Sequence, residues 1–342
     1  MPAFGRPVRE LTGLAPGAVP WRMLIDAGEP VILRGLARDW PLVAAGHQSP
    51  RAAVDYLMGF YNGRPGAGYT APAEVGGRYF YADADLTRLN FDRESVRLDD
   101  YLERLLARLD DPQSPSFYIG STDLEGYFPG FAARNDVLGD DPLFAHALRS
   151  IWIGTRTIAT AHHDVSNNIA CVAVGRRRFT LFPPDQVANL YPGPLEPTPG
   201  GQVISLVDFD APDLARFPDF AQAMAAAQVA ELEAGDALVY PALWWHHVEA
   251  LAPFNMMVNV WWNDVPAFVD QPMNTLLHGL LSLRGRPAHE REAWRALFDY
   301  YLFGPTDRAI AHLPEAARGP LAPLDAMSAR RLRALLLNKL NR

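Results

Sequence analysis

Short apolar runs bounded by glycine, proline and aspartate dominate the middle of the chain, at residues 167–174, 179–182, 237–240 and 255–262. Runs of this length with such boundaries are typical of buried β-strands. Pro183 ends the second run, because proline cannot donate to a sheet ladder, and a Gly235-Asp236 turn leads into the third. Gly175 to Arg178 is expected to form the turn between the first two runs. The pattern predicts a core of paired strands.

In two regions the spacing of the apolar residues changes to that of a helix. Residues 97–109 carry apolar side chains on one helical face: Leu98, Tyr101, Leu102, Leu105 and Leu109. After residue 266, amphipathic helices are expected at 289–303 and 325–340. The chain is therefore divided into mixed α/β elements over residues 1–115, a β-rich core over 116–265 and a helical region over 266–342.

The composition narrows the class of protein. With 342 residues, of which 49% are hydrophobic and 20% charged, the chain is typical of a soluble globular protein. A net charge of −8 argues against nucleic acid as the default partner. No apolar run reaches the roughly 18 residues that span a membrane, and no apolar signal segment opens the chain. The single cysteine, Cys171, allows no intrachain disulfide and fits a reducing cytoplasm.

The candidate chemistry lies in two histidine-containing segments within the predicted strands. The first is Thr160-Ala161-His162-His163-Asp164, and the second is Trp244-Trp245-His246-His247. Residues two apart on a strand point to the same side, so His162 and Asp164 can bind one ion while His163 points away. A distant His246 completes a two-histidine, one-carboxylate ligand set. Such a set holds Fe(II) by one face and leaves the other positions open.

Plainer interpretations compete with a metal site. His246 and His247 also fit as ordinary histidines beside a tryptophan-rich core, and Asp164 fits as a turn residue. A lone His-x-Asp tripeptide arises by chance in many chains. The occurrence of both segments in strand-like sequence favours the metal site.

These segments and their neighbours resemble the JmjC/cupin-like Fe(II)- and 2-oxoglutarate-dependent oxygenases, in the branch of the hypoxia-factor asparaginyl hydroxylase. The resemblance covers most of residues 20–265. The motifs that carry it are Pro30–Leu36 with Asp39-Trp40-Pro41, Trp152-Ile153-Gly154 through Phe182-Pro183-Pro184-Asp185, Leu190-Tyr191-Pro192, Val207-Asp208-Phe209 with Arg216-Phe217-Pro218, Gly235-Asp236, Trp244–Glu249 and Val258–Trp261.

The resemblance implies a double-stranded β-helix, or jelly-roll, core and a role for each matching residue. His162, Asp164 and His246 match the iron ligands. The positions that match contacts to 2-oxoglutarate are Tyr118, Asn168, Arg177 and Asn259. Arg177 is placed against the distal carboxylate, which a planar guanidinium binds through two parallel hydrogen bonds. A solvated turn of Arg176, Arg177 and Arg178 is the competing interpretation.

The chain departs from the family at one position in this region. The family usually has threonine or serine three residues before the first metal histidine, where this chain has Ala159. One hydroxyl contact to the co-substrate is therefore either missing or supplied by a neighbour such as Thr160 or Thr157. This puts the affinity for 2-oxoglutarate in doubt.

The resemblance also bears on assembly. The related hydroxylases build a dimer interface from C-terminal helices, so a homodimer through the helices after residue 266 is expected. The alternative is that these helices only pack on the barrel. Six aromatic residues are candidates for the barrel mouth, with plain core positions expected for at least half of them: Tyr61, Tyr69, Tyr79, Tyr81, Trp244 and Trp245.

The sequence therefore predicts a dioxygenase that uses Fe(II), 2-oxoglutarate and O2 to hydroxylate a protein or peptide side chain or a small molecule. Two alternatives stay open. A cupin-type isomerase or hydrolase would use the same ligands with Zn(II) or Mn(II), because these ligand types do not select iron by affinity alone. A non-catalytic sensor would keep only the metal. Neither alternative requires Arg177, Asn168 and Asn259 as a carboxylate site.

Overall fold

Fifteen β-strands lie between residues 6 and 262 of the computed structural model, which describes residues 5–341. Most of them are short and bounded by turns. In chain order they are β1 Arg6–Pro7, β2 Arg9–Leu11, β3 Val31–Leu33, β4 Gly66–Ala71, β5 Arg78–Tyr79, β6 Asp92–Val96, β7 Ser116–Asp123, β8 Leu148–Gly154, β9 Ile158–His163, β10 Asn167–Val174, β11 Arg176–Phe182, β12 Gln228–Glu233, β13 Ala237–Tyr240, β14 Trp245–Ala250 and β15 Asn255–Trp262.

The strands form two sheets. One has six strands in the order β1-β12-β11-β14-β9-β5, and the other has nine in the order β2-β3-β13-β10-β15-β8-β7-β4-β6. Strands adjacent in the chain, such as β10 and β11, lie in different sheets, so the chain passes back and forth between the two layers. This is the predicted jelly-roll core. The N-terminal strands β2, β3, β4 and β6 extend its larger sheet.

The faces of β10 show how the layers pack. Ala170 and Val172 contact a core shared with β11 and β12 of the other sheet, including Phe179 and Leu232. Ile169 and Cys171 face a second core, which the N-terminal helices cover. Because β10 is buried on both faces, its sequence is continuously apolar rather than alternating. Burial also raises the pKa of the Cys171 thiol, which is consistent with the prediction that it fills core space.

Nine α-helices complete the part of the chain that the structure describes. They are α1 Trp21–Asp26, α2 Pro41–Gln48, α3 Pro50–Met58, α4 Leu98–Leu106, α5 Leu124–Tyr127, α6 Phe220–Ala226, α7 Pro272–Ser282, α8 Ala288–Phe298 and α9 Ala326–Leu340. The predicted helix over 97–109 is confirmed as α4, whose apolar face is buried. The helix expected over 289–303 is α8 followed by a π-helical turn, Asp299–Phe303.

The described residues divide into two compact units, one ending at Asn263 and the other beginning at Asp264. The first unit contains both sheets, and the second contains α7, α8 and α9. The three-part division of the chain at residues 115 and 265 stays a prediction. Within the described residues, no helix combines the length and apolar character required to cross a membrane.

An ionic cluster joins the N-terminal strand β3 to the turn before β13. Asp236 accepts a hydrogen bond from the Gly35 amide at 2.8 Å and one from Arg34 Nη1 at 2.6 Å. Arg34 also donates to Glu10 on β2 at 2.5 Å. These carboxylates raise the pKa of Arg34, chiefly through the hydrogen bond to Glu10. Arg34 and Asp236 together therefore connect three segments of the larger sheet.

We expect Asp236→Asn to lower the free energy of unfolding by about 1.5–3 kcal/mol, because hydrogen bonds to a charged group are lost from a buried carboxylate. Urea denaturation followed by circular dichroism measures the change. Glu103→Gln is the control, since its ion pair with Arg51 is solvent-exposed and exposed pairs contribute little. An equal effect of both substitutions would contradict the role given to Asp236.

Candidate metal centre and its cavity

Pairing of β9 with β14 places two histidines opposite each other. His162 and His246 are direct partners in this antiparallel ladder, and their rings lie 4.3 Å apart between centroids. His162 Nδ1 donates to the Thr160 carbonyl at 2.8 Å, and His246 Nδ1 donates to the Trp244 carbonyl at 3.0 Å. Since a carbonyl can only accept, each neutral ring keeps Nε2 free of a proton. Both Nε2 atoms are therefore available as metal ligands.

Asp164 completes the cluster from outside the strand. The sequence analysis placed Asp164 within the strand. β9 instead ends at His163, so Asp164 lies one residue past the ladder. Its Oδ2 lies 3.7 Å from His246 Nε2, and the candidate ligand atoms of His162, Asp164 and His246 all lie within 4.8 Å of one another. Burial lowers the pKa of His246 to about 4, which keeps its ring neutral at pH 7. Two neutral imidazoles and a carboxylate can hold a divalent transition metal.

The neighbouring histidines point to the opposite face of the sheet. His163 packs against the Trp245 ring, with 4.9 Å between centroids. His247 stacks on Phe209 at 4.4 Å, and burial lowers its pKa to about 3. Both therefore belong to packing on the far side of the sheet. For His163, the structure has the outward direction that strand alternation predicted.

The three candidate ligands line a cavity of about 430 Å³ between the sheets. Aromatic and aliphatic side chains form most of its wall, with a few polar groups among them. The lining includes Tyr69, Tyr79, Phe91, Tyr118, Trp152, Thr160, Arg177, Gln202, Met257, Asn259 and Trp261.

Arg177 reaches the cavity because it lies within β11. The sequence had placed Arg176 to Arg178 in a turn, but the strand begins at Arg176, and Gly175, with φ +79°, makes the turn alone. Added bulk is excluded at Gly175, because a Cβ would come within 2.4 Å of Asn255 Oδ1. Arg176 and Arg178 point outward to glutamates of the six-stranded sheet, with Arg178 3.0 Å from Glu231.

The guanidinium of Arg177 is a buried cation with unsatisfied donors. Arg177 is 3% exposed, and neither Nε nor Nη2 has a hydrogen-bond partner among residues 5–341. Burial lowers its pKa. Leaving a desolvated charge without a counter-ion costs several kcal/mol per ion, so an anionic ligand at this end of the cavity would offset a large penalty.

The other residues predicted from the resemblance lie in or behind the same wall. Tyr118 and Thr160 both line the cavity, and the buried Thr160 Oγ1 has no partner. This hydroxyl lies beside Ala159, where the family usually has its own. Asn259 lines the cavity and donates to Asn168 Oδ1 at 2.8 Å. Asn168 is fully buried behind it and does not reach the cavity wall.

The sequence analysis expected core positions for at least half of the six aromatic candidates, and most of them are buried core residues. Of the six candidates, Tyr69 and Tyr79 line the cavity, while Trp244 and Trp245 are core residues. Tyr61 and Tyr81 are absent from the lining. Apart from Tyr118, five further aromatic residues line the cavity and were not singled out: Phe91, Trp152, Phe179, Tyr240 and Trp261. The inward position of Trp261 could have been predicted from the sequence, because Trp261 lies two positions after Asn259 on β15 and so shares its face.

The two packed sheets define a jelly roll of the cupin type, and the histidine–carboxylate cluster is its candidate metal centre. The chain belongs to the cupin-like domain family, whose profile matches residues 17–268. The resemblance to JmjC/cupin-like proteins drawn from the sequence is thereby confirmed.

Several curated proteins are similar to the chain. Lysine-specific demethylase 8 of Danio rerio is 26% identical over 260 residues, which is 70% of this chain and 54% of that protein. HSPB1-associated protein 1 of Homo sapiens is 33% identical over 150 residues, 42% of this chain and 30% of that protein. tRNA wybutosine-synthesizing protein 5 of Danio rerio is 28% identical over 200 residues, 54% of this chain and 57% of that protein. The chain spans about a third to just over half the length of these relatives.

Removal of a ligand side chain should abolish metal binding. We expect Asp164→Ala, like His162→Ala and His246→Ala, to leave purified, iron-reconstituted protein with little bound iron, as measured by elemental analysis. His163→Ala is the matched control, because its ring faces away from the cluster and it should retain nearly full iron content. Full iron occupancy in the Asp164→Ala protein would exclude this metal centre.

Proposed function

We propose that the chain is an Fe(II)- and 2-oxoglutarate-dependent oxygenase that hydroxylates a C–H bond of its substrate. The observation that carries the proposal is Arg177, a buried and unpaired cation lining the same cavity as the His162, Asp164 and His246 cluster. A dicarboxylate co-substrate can satisfy both, with one end at the metal and the other at the guanidinium. Membership of the cupin-like family supports the same chemistry.

The residues present fit the proposed groups. His162, Asp164 and His246 would hold Fe(II), since imidazole and carboxylate ligands on one face are the donor set of non-haem Fe(II) oxygenases. Arg177 would bind the distal carboxylate through its free Nε and Nη2. The free hydroxyl of Thr160 can donate to the same ligand, in place of the hydroxyl that Ala159 lacks.

When bound, the iron supplies the redox chemistry by which one atom of O2 enters a substrate C–H bond and the other enters succinate, with release of CO2. The protein has three tasks in this reaction. It fixes the three ligands, it places the co-substrate by its distal carboxylate, and it excludes water with the aromatic wall formed by Tyr118, Trp152 and Trp261.

The substrate is proposed to be a protein side chain or a small molecule that presents an uncharged group. Among the described residues that line the cavity, only Asp164 and Arg177 belong to the acidic and strongly basic types, and both are assigned above. The outer wall that remains is aromatic or neutral, and includes Tyr69, Phe91 and Gln202. The relatives, named for HSPB1 association, lysine demethylation and tRNA modification, leave both substrate types open.

Turnover of 2-oxoglutarate distinguishes this proposal from its alternatives. Purified, iron-loaded protein should convert 2-oxoglutarate to succinate, slowly without substrate and faster with it. A cupin-type isomerase, hydrolase or metal sensor would produce none. The substrate can then be sought in peptide and metabolite libraries by a mass gain of one oxygen atom.

Arg177→Met should raise the KM for 2-oxoglutarate at least about thirty-fold, the equivalent of about 2 kcal/mol, because the carboxylate loses its buried partner. The same substitution should leave the ligand-free protein as stable as before or more stable, since it removes an unpaired buried charge. Succinate assays and urea denaturation measure the two effects.

Arg178→Met is the control, because Arg178 faces outward and pairs with Glu231 and Glu249. It should change the KM little. A larger effect from Arg178→Met than from Arg177→Met would contradict the strand register on which the co-substrate site depends.

We also propose that a second copy of the chain covers the C-terminal helices. Large apolar side chains stay exposed on the second unit, with Leu281 at 79% and Phe303 at 78%. Leu336, Leu337 and Leu340 on α9 are also exposed, at 43–55%. An apolar surface of this extent is typical of an interface, and two-fold pairing of identical faces is the commonest way to bury one.

Leu336→Glu should convert dimers to monomers, because a charge placed in an apolar interface is left desolvated and unpaired. Light scattering at micromolar protein concentration gives the mass directly. Asn338→Glu adds the same charge to the same helix at an already polar position and should leave the dimer intact. A monomer mass for the unmodified protein would contradict the proposal.

A further inference from the structure

Asp164 is the least constrained of the three candidate metal ligands. His162 and His246 are held within paired strands, and the Nδ1 atom of each is bonded to a backbone carbonyl. Asp164 lies beyond the end of β9 and has no ladder partner of its own. Its position must therefore be set by contacts from other segments.

The backbone of Asp164 is fixed by the turn that leads into β14. The Leu243 amide donates to the Asp164 carbonyl at 2.8 Å. Leu243 adopts φ +67°, a left-handed conformation that costs a branched residue roughly 1–2 kcal/mol. This contact joins the segment after His162 to the segment before His246, but it leaves the carboxylate free to rotate about its own bonds.

The carboxylate itself is bonded by Trp261. The indole Nε1 of Trp261 donates to Asp164 Oδ2 at 3.2 Å, and this same oxygen lies 3.7 Å from His246 Nε2. The Trp261 ring is held in turn by an edge-to-face contact with Trp152, at 5.8 Å between centroids. Both rings line the cavity. The indole is thus fixed by the cavity wall and can act as a rigid donor.

We propose that Trp261 is a positioning residue of the metal centre, whose indole N–H fixes the Asp164 carboxylate in front of the two imidazoles. The inference rests on the metal site proposed above. A metal-ligating side chain generally needs an outer partner to hold its orientation, and removal of such a partner typically costs ten- to hundred-fold in metal affinity.

A tryptophan suits this position for an electrostatic reason. A lysine or arginine would also hold the carboxylate, but its positive charge would compete with a metal ion for Asp164. The indole N–H is a neutral donor, so it fixes the carboxylate without cancelling its charge. Its ring also adds apolar surface to the cavity wall, which a small polar residue would not supply.

The chain offers a matched control in the next residue. Trp262 also lies on β15 but points to the other face, where it packs edge-to-face on Phe144 at 4.9 Å. In the part of the chain that the structure describes, its indole Nε1 has no hydrogen-bond partner. Trp262→Phe therefore removes an N–H that serves no ligand, from a more buried position than Trp261.

The test is a titration of metal-free full-length protein with Mn(II), in which electron paramagnetic resonance measures the free ion. Trp261→Phe should raise the Kd for Mn(II) about ten- to hundred-fold. Trp262→Phe should change the Kd by less than about two-fold. An unchanged Kd in Trp261→Phe, or an equal loss in both variants, would overturn the inference while leaving the metal site intact. Failure of the unmodified protein to bind Mn(II) would overturn the metal site and the inference together.

A second measurement uses the unmodified protein and so does not depend on the folding of a variant. With the tryptophan indoles labelled with 15N, an indole N–H signal protected from solvent exchange should shift when diamagnetic Zn(II) is added. Circular dichroism should show that Trp261→Phe keeps the fold, as expected for a residue that is only half-buried. The absence of any shifted indole signal at saturating Zn(II) would contradict the hydrogen bond to a metal ligand.

Discussion

The register between β9 and β14 is the constraint on which the candidate site depends. It places His162 opposite His246, and a slip of one residue would turn His163 and His247 toward the cavity instead. The far face of the same strands fixes this register, because Ala161 and Trp245 belong to an apolar cluster on that side. A bulge after His246 locally shifts the pairing, as is common beside functional sites. The candidate metal ligands are therefore positioned by hydrophobic packing on the opposite face of their strands.

The same alternation explains how a lone cation is held in the cavity. Phe179 and Leu181 belong to the core between the sheets, so Arg177, two positions before Phe179, must share their inward direction. The burial of apolar side chains along β11 offsets the free-energy cost of desolvating one guanidinium. The strand is less stable than an all-apolar one would be, and a local cost of this kind is expected at a functional site. An anionic ligand would recover part of that cost.

Strand periodicity allowed much of the core to be predicted. The apolar runs became β10, β11, β13 and β15, and His162, Asp164, His246 and Arg177 meet in one cavity. Helices α2 and α3 were not anticipated, and their sequence contains Gly46 and Pro50, residue types that often interrupt a helix. Pro50 instead begins α3, and Gly46 allows close packing, since a Cβ there would lie 2.7 Å from Val174 Cγ2. The hydrogen bond from Trp261 to Asp164 could not be predicted from the sequence either, because it joins side chains of residues 97 positions apart.

The inner and outer walls of the cavity come from different segments of the chain. Its inner end is built from inward positions of β9, β11, β14 and β15, whose registers are fixed by the cores on either side. The outer wall comes from β4, β5, the irregular part of β7 at Gly120 and Ser121, and the loop around Gly200. Ser121 adopts φ +46°, a strained conformation often found at ligand sites. Residues of the outer wall can change without disturbing the register that holds the metal ligands. Under the proposed function, the outer wall would set substrate choice in proteins that share the inner cluster.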